Sequence, residues 1–263
     1  MTVRTEPSGK TLYEVQSSTS TITAMRIPLL CALLGGAIVF GARPVEDFKT
    51  KAGAIKITII QHASLMIEAG GQVFYIDPSQ GNYDGLPPAD LILITDIHGD
   101  HMTPAVIAKV KKPGTTIIAP EAVAKTVTDA TVIRNGETKT IGSWTIEAVP
   151  MYNLKRGPSE GKLFHDKGRG NGYIMTYGGM RFYIAGDTEG TPEMRALKNI
   201  DVAFVPMNLP YTMPPEEAAD AVRAFHPKIV YPYHYRGSDP KAFEKALAGS
   251  GIEVRLRDWY ANG

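Results

Sequence analysis

The densest chemistry in this 263-residue chain lies in one heptapeptide, Thr95-Asp96-Ile97-His98-Gly99-Asp100-His101. Asp96, His98, Asp100 and His101 are all metal-ligating types. Carboxylates and imidazoles packed this closely repel or compete for protons unless a cation organises them. A polar turn with incidental histidines is the structural alternative, and the spacing argues against it. The single cysteine, Cys31, excludes an internal disulfide framework and any Cys-based zinc site.

The elements that must position this cluster read as follows. Residues 91–95 form a continuous apolar run, the mark of a strand buried on both faces, and the cluster starts at its C-terminal end. Residues 55–60, 64–69 and 73–77 predict consecutive strands, with Gly70-Gly71 as a hairpin turn. A helix over 104–110 carries proline in its first turn. A strand over 116–119 and a helix over 121–128 follow. Residues 138–141 and 144–149 predict a hairpin around Gly142-Ser143, and 173–177 and 181–185 another around Gly178-Gly179. Between these hairpins runs a polar loop, 151–171. The last third alternates helices (192–197, 214–225, 241–248) with strands (202–206, 229–233, 253–256). Ala218, Ala221, Val222 and Phe225 share one helix face, suited to packing on a sheet. Together these elements predict an α/β layered fold, with sheets packed together and helices outside. No internal repeat is evident after residue 50.

Hydrophobic residues are 43% and charged residues 21%, with a net charge of +1. That balance fits a globular domain and offers no field or basic stripe for nucleic acid. The N-terminus differs. Residues 1–24 are rich in Ser and Thr, and an uncharged run over 27–42 is flanked by Arg26 and Arg43. The run falls short of the roughly 20 residues that span a bilayer and fits a signal peptide or a membrane anchor. Two segments are expected: a leader, 1–48, and a globular domain, 52–263. The domain is then exported or membrane-anchored, with the leader as its only membrane contact. Met25 is a more typical start, which would make residues 1–24 an over-extended reading frame; if the leader is a misassigned start, the domain is cytoplasmic.

The heptapeptide resembles the His-x-His-x-Asp-His signature of the metallo-β-lactamase superfamily. Gln61-His62-Ala63-Ser64, Asp77-Pro78, Gly186-Asp187-Thr188 and Tyr233-His234-Tyr235 follow in that family's order. The resemblance covers about residues 55 to 258. It is nearest to the branch of L-ascorbate-6-phosphate lactonase and N-acylphosphatidylethanolamine phospholipase D. It implies a four-layer αββα sandwich and a centre for one or two divalent metals. Zn²⁺ is the first choice, with Mn²⁺ or Fe²⁺ as alternatives. It also implies that Asp77 orients ligand histidines, that Asp187 bridges two metals and that His234 is the last ligand. Two positions depart from the pattern. Asp96 replaces the first histidine, and Asn153 stands where another is expected. Carried over position by position, one metal set is Asp96, His98 and Asn153. The other is Asp100, His101, Asp187 and His234, with Asp187 shared. Asp96→His is then expected to raise affinity for a second Zn²⁺, and Asp96→His with Asn153→His to raise it further.

The implied chemistry is hydrolysis, by metal-activated water, of an ester, lactone or phosphodiester bond in a small molecule. Asp100 would orient the water, and His165 is the candidate acid for the leaving group. Lys155, Arg156, Lys162, Lys167 and Arg169 make 151–171 a candidate cationic lid for an anionic substrate. Arg236 and His62 are placed near the site by their motifs. Tyr152, Tyr211, Tyr233 and Tyr235 are candidates for an aromatic pocket, and His226 reads as a helix-end residue. The competing reading is a non-catalytic metal- or ligand-binding protein, which the two replaced histidines favour and the retained Asp100, His101, Asp187 and His234 oppose. Oligomeric state is left open by the sequence.

Overall fold

The structure, a computed structural model, describes residues 2–5, 7, 11–14 and 43–260. The chain divides into two units, Met1–Val39 and Phe40–Gly263. In the first unit, β1 (Thr2–Thr5) and β2 (Thr11–Glu14) pair antiparallel. The apolar run 27–42, expected as signal peptide or anchor, lies outside the described residues.

The second unit contains two seven-stranded sheets. The first holds β3 (Val45–Thr50), β4 (Gly53–Gln61), β5 (Ser64–Ala69), β6 (Gln72–Ile76), β7 (Ala89–Leu93), β8 (Lys111–Ala119) and β9 (Thr131–Val132), in that spatial order. Helices α1 (Pro104–Val110) and α2 (Glu121–Ala124) interrupt its second half. The second sheet holds β10 (Thr138–Ile141), β11 (Trp144–Met151), β12 (Gly170–Tyr177), β13 (Met180–Ile184), β14 (Val202–Pro206), β15 (Ile229–Tyr233) and β16 (Glu253–Val254), again in order. Its helices are α3 (Pro192–Arg195), α4 (Pro215–Phe225) and α5 (Pro240–Ala246). Each sheet begins as an antiparallel meander of four strands and ends with three parallel pairings. The halves therefore share a topology that the sequence shows no trace of as a repeat.

Period-two alternation sorts the side chains into layers. Phe182, Ile184, Val202 and Phe204 join Leu91, Leu93, Ile57 and Ile67 in a core between the sheets. Their neighbours Tyr183, Ala203 and Val205 face Ala218, Ala221, Val222 and Phe225 of α4 and Phe243 of α5. On the far side, Ile92, Ile94 and Tyr75 pack with Ile107 and Val110 of α1 and Val123 of α2. Three apolar layers between four structural layers make the αββα sandwich. Each fully buried Leu, Ile or Phe adds about 2 kcal/mol of hydrophobic stabilisation.

Most element boundaries fall within two or three residues of expectation. Two corrections concern the first sheet. The globular unit starts before residue 52, because β3 pairs along β4 from Val45 opposite Thr58 to Thr50 opposite Gly53. A leader ending at residue 48 would cut through this strand. The helix expected over 121–128 is one turn, since its hydrogen-bonded core ends at Ala124.

Candidate metal centre

Strand ends deliver the site. His62 follows β4, Asp77 follows β6, Asp96 lies three residues past β7, Asp187 three past β13, and His234 directly after β15. The chain must turn sharply at several of these ends. His62 (φ 56°), Asp77 (φ 46°) and His234 (φ 47°) all adopt the left-handed conformation. That costs a residue with a side chain about 1 kcal/mol, and such strain gathers at functional sites. Gly186, before Asp187, is also left-handed, and a Cβ there would collide with the Met151 side chain.

One half of the centre is buried and tightly braced. Asp187 Oδ2 lies 3.3 Å from His101 Nε2, and its Oδ1 lies 3.3 Å from His234 Nε2. Asp100 Oδ2 is 3.3 Å from the same His234 nitrogen. Behind His101, the buried Asp77 carboxylate accepts from His101 Nδ1 at 2.9 Å and from the Thr95 amide and hydroxyl at 2.7 Å each. Burial pushes the Asp77 carboxyl upwards, against these bonds. For His101, burial opposes the charge, but Asp187 and Asp77 outweigh it and hold its pKa well above the ordinary value. Burial lowers the pKa of His62 to about 4, so its ring is neutral near pH 7. Its Nε2 lies 3.2 Å from Asp100 Oδ2 and its Nδ1 2.8 Å from Tyr260 Oη. A carboxylate only accepts, so Nε2–H donates to Asp100 and the Tyr260 hydroxyl donates to Nδ1. His62 thus holds Asp100 in place from behind.

The other half is assembled differently. His98 Nδ1 lies 3.0 Å from Asp96 Oδ2. His165 Nε2 lies 3.1 Å from Asp187 Oδ2 and 3.9 Å from Asp96 Oδ2. His165, expected as the proton donor, therefore occupies the position where a third ligand was sought. Asn153, expected as that ligand, does not fill it. Its Oδ1 accepts from the His165 amide at 2.8 Å and from His165 Nδ1 at 2.7 Å, which uses both lone pairs. Its Nδ2 donates to Glu189 Oε1 at 3.1 Å and to the Tyr211 carbonyl at 2.8 Å. With Nδ1–H directed at Asn153, His165 turns its Nε2 towards the Asp187 carboxylate, as a metal ligand would. Arg169, from the same loop, grips both oxygens of Asp96, Nε at 3.2 Å and Nη2 at 2.9 Å. Burial raises the Asp96 pKa, but the His98 hydrogen bond and the charges of His101 and Arg169 bring it down to about 2.

These donors fit a metal. His101 Nε2, His165 Nε2, His234 Nε2 and Asp187 Oδ1 are buried without a hydrogen-bond partner. Such orphaned atoms are uncommon, and these four gather around one carboxylate. Three groups have donor atoms within 4.8 Å of one another: Asp96, His98 and His165; His101, Asp187 and His234; and His62, Asp100 and His234. The committed Nδ1–H groups of His101 and His165 leave each Nε2 free for a cation, the usual bracing of a metal-bound imidazole.

Above the cluster opens a cavity of about 330 Å³, whose walls add Phe164 and Tyr211 to the ligand residues. The other expected contributors lie elsewhere. Arg156 pairs with Glu217 through both terminal nitrogens at 2.8 Å. Arg236 donates to Gln80 Oε1 at 3.0 Å and covers the Tyr260 ring. Tyr152 bonds Glu193, Tyr233 accepts from the Gly186 amide, and Tyr235 bonds the Arg257 carbonyl, so these three are structural. His226 is the left-handed cap of α4.

Two mixed sheets with donors at their strand ends define a metal-centre protein of the metallo-β-lactamase fold. The chain belongs to the β-lactamase superfamily domain family, whose model matches residues 56–234. A relative from Thermococcus kodakarensis, named a UPF0173 metal-dependent hydrolase, is 33% identical over 219 residues, covering 76% of this chain and 95% of the relative. A crystal structure from Parabacteroides distasonis, described as a proposed metal-dependent hydrolase, superposes with a TM-score of 0.78 at 46% identity, covering 82% of this chain and 98% of that one. Igni18, a metallo hydrolase from Ignicoccus hospitalis, shares the fold at TM-score 0.65 and 24% identity, over 78% of this chain and 95% of its own.

Proposed function

We propose that the protein is a metal-dependent hydrolase acting on an ester, lactone or phosphodiester bond of a small molecule. The observation that carries this reading is the ring of unpartnered buried imidazole nitrogens around Asp187. We assign one metal position to Asp100, His101, Asp187 and His234, and a second to Asp96, His98, His165 and Asp187. Nitrogen and carboxylate donors in this mix suit Zn²⁺ first, with Mn²⁺ or Fe²⁺ as substitutes. A metal held there supplies water activated near neutral pH and polarises the oxygen of the bond under attack.

The chain's own groups have distinct tasks. Asp100, exposed to the cavity and held by His62, orients the attacking water. Asp77 and Asn153 fix the tautomers of His101 and His165. Phe164 and Tyr211 limit access from solvent. A braced set with an open cavity before it serves catalysis better than passive metal storage, because metal retention alone needs no room for a substrate. Elemental analysis of protein purified with metal supplied, combined with hydrolysis of chromogenic esters and phosphodiesters before and after chelation, tests the reading. At least one metal per chain and hydrolysis that chelation abolishes and Zn²⁺ restores are expected. Metal content near zero would overturn it.

A further inference from the structure

The loop over the metal centre was expected to offer cations to an anionic substrate, and its contacts do not allow that. Lys155 Nζ lies 3.0 Å from Glu217 Oε1, and Arg156 clasps the same carboxylate. Lys167 Nζ lies 2.5 Å from Glu193 Oε1 and over the Tyr152 ring. Arg169 is committed to Asp96. Lys162 is exposed and does not line the cavity. Among the described residues, no lysine or arginine lines that cavity. An anionic group away from the reacting bond would be desolvated there without a partner, which opposes binding.

The cavity offers an aromatic wall instead. Phe164 and Tyr211 meet edge to face with ring centroids 5.0 Å apart. Tyr211 is 45% exposed, an unusual state for a ring beside a buried centre, and its neighbour Leu209 is 48% exposed. Leu154, at the start of the loop, is 50% exposed. The Tyr211 position is fixed through its backbone, since its carbonyl accepts from Asn153 and its amide donates to the Asn208 carbonyl. The ring therefore stays in place without burial of its own.

Resting on the hydrolase reading above, we propose that the part of the substrate away from the reacting bond is uncharged and apolar or aromatic, and packs on Phe164 and Tyr211. Recognition is then by ring contact and exclusion of water, with charge handled only at the reacting group.

Matched chromogenic substrates test this on the full, metal-loaded chain. One pair is 4-nitrophenyl 4-phenylbutanoate against the mono-4-nitrophenyl ester of adipic acid. The other is a pair of phosphodiesters, 4-nitrophenyl phenyl phosphate against 4-nitrophenyl 3-carboxypropyl phosphate. Within whichever bond type is cleaved, the aryl-tailed or less charged member should have a kcat/KM at least about tenfold higher, the size of an aromatic contact. Tyr211→Ala should remove that preference by raising KM with kcat held, and Tyr211→Phe should keep it. Equal or inverted preference, or a preference that survives Tyr211→Ala, overturns the proposal and leaves the hydrolase reading standing. No turnover of any of the four by metal-replete protein overturns both.

Discussion

On one side of Asp187, His234 leaves a strand end directly, His101 closes the turn after β7, and their neighbours Asp77 and His62 leave strand ends. On the other side, His165 and Arg169 come from the loop between β11 and β12, and His98 is 45% exposed. The first side is held by two sheets, the second by a loop that closes over it. A ligand at a strand end inherits the rigidity of the sheet, whereas a loop ligand needs its own bracing, which Asn153 and Glu189 supply here. Metal should therefore be held more tightly on the strand-borne side, and the loop-borne side should be the one that loading conditions and substitutions change.

The largest effect tests the carboxylate common to both sides. Asp187→Ala removes a donor from each set and leaves His101 without one of its two counter-charges. Bound metal should fall close to zero, with hydrolysis reduced by about 10³-fold or more. Elemental analysis at matched folding, monitored by circular dichroism, checks it. Retention of the full wild-type metal content would break the assignment of Asp187 as the shared ligand.

His165→Ala separates the sides. The strand-borne metal should remain while the loop-borne one is lost, so the stoichiometry drops by one. Asn153→Ala should leave His165 in the cluster but unbraced, weakening that metal by about 10- to 100-fold. The structure also reverses an expectation from the sequence. Adding Asn153→His to Asp96→His was expected to raise zinc affinity further. It should instead lower it, because the new ring cannot accept both His165 donors while donating to Glu189 and the Tyr211 carbonyl. Zinc titration of all three variants distinguishes these outcomes, and a gain in affinity for Asn153→His would return Asn153 to the metal.

This asymmetry also explains what was legible in the sequence. Asp96 to His101, Asp187 and His234 stand just after apolar strands, so motif and secondary structure reinforce each other. His165 sits in mid-loop with no strand before it, and loop closure cannot be derived from residue types. A one-for-one replacement logic pointed to Asn153, whereas the imidazole beside Asp187 is that of His165, 12 residues along the chain, with the Asn153 amide positioning it. The signal that could have found it is the sequence Phe164-His165-Asp166 within a loop already suspected of covering the site. Strand β3 escaped for another reason. Its inward positions are Glu46 and Phe48, so a buried carboxylate breaks the apolar alternation. Glu46 is satisfied across the sandwich by Tyr231 at 2.6 Å and Arg255 at 2.9 Å, and by Arg257. The layered fold itself was readable because 91–94, 182–185 and 202–206 are uninterrupted apolar runs.

A smaller effect is expected at Arg169. Asp96 carries a negative charge where the family pattern has a neutral imidazole, and the guanidinium cancels it. The pair presents the loop-borne metal with about the same net charge as the histidine would. Arg169→Met should leave the buried Asp96 carboxylate with only His98 hydrogen-bonded to it in metal-free protein, destabilising it by up to about 3 kcal/mol. Bound metal would then replace the lost counter-charge, so metal should raise the Tm of the variant more than that of the wild type. Calorimetry with and without Zn²⁺ measures this difference. Equal metal-induced shifts would mean that Asp96 and its partner lie apart from the metal.

The smallest effect concerns the clasp that holds the loop down. Hydrogen bonds from Arg156 are the main cause that lowers the Glu217 pKa to about 2, against some burial, with Lys155 adding to it. A carboxyl with a depressed folded pKa contributes stability that is present in full above its unfolded value, about 4.3. That contribution is lost as pH falls through the folded value near 2. Glu217→Gln keeps the shape and removes the charge, so the gap between wild type and variant should be constant from pH 7 to 5 and shrink below that. Because Glu217 is 39% exposed, solvent screens the pair and the gap should stay within about 1 kcal/mol. Denaturant titration at pH 7, 5 and 3 reads it directly, and limited proteolysis of residues 154–169 reports whether the loop loosens with it. A gap that grows towards pH 3 would show that Glu217 is not ionised in the clasp, and that the lid cations are free to meet a substrate after all.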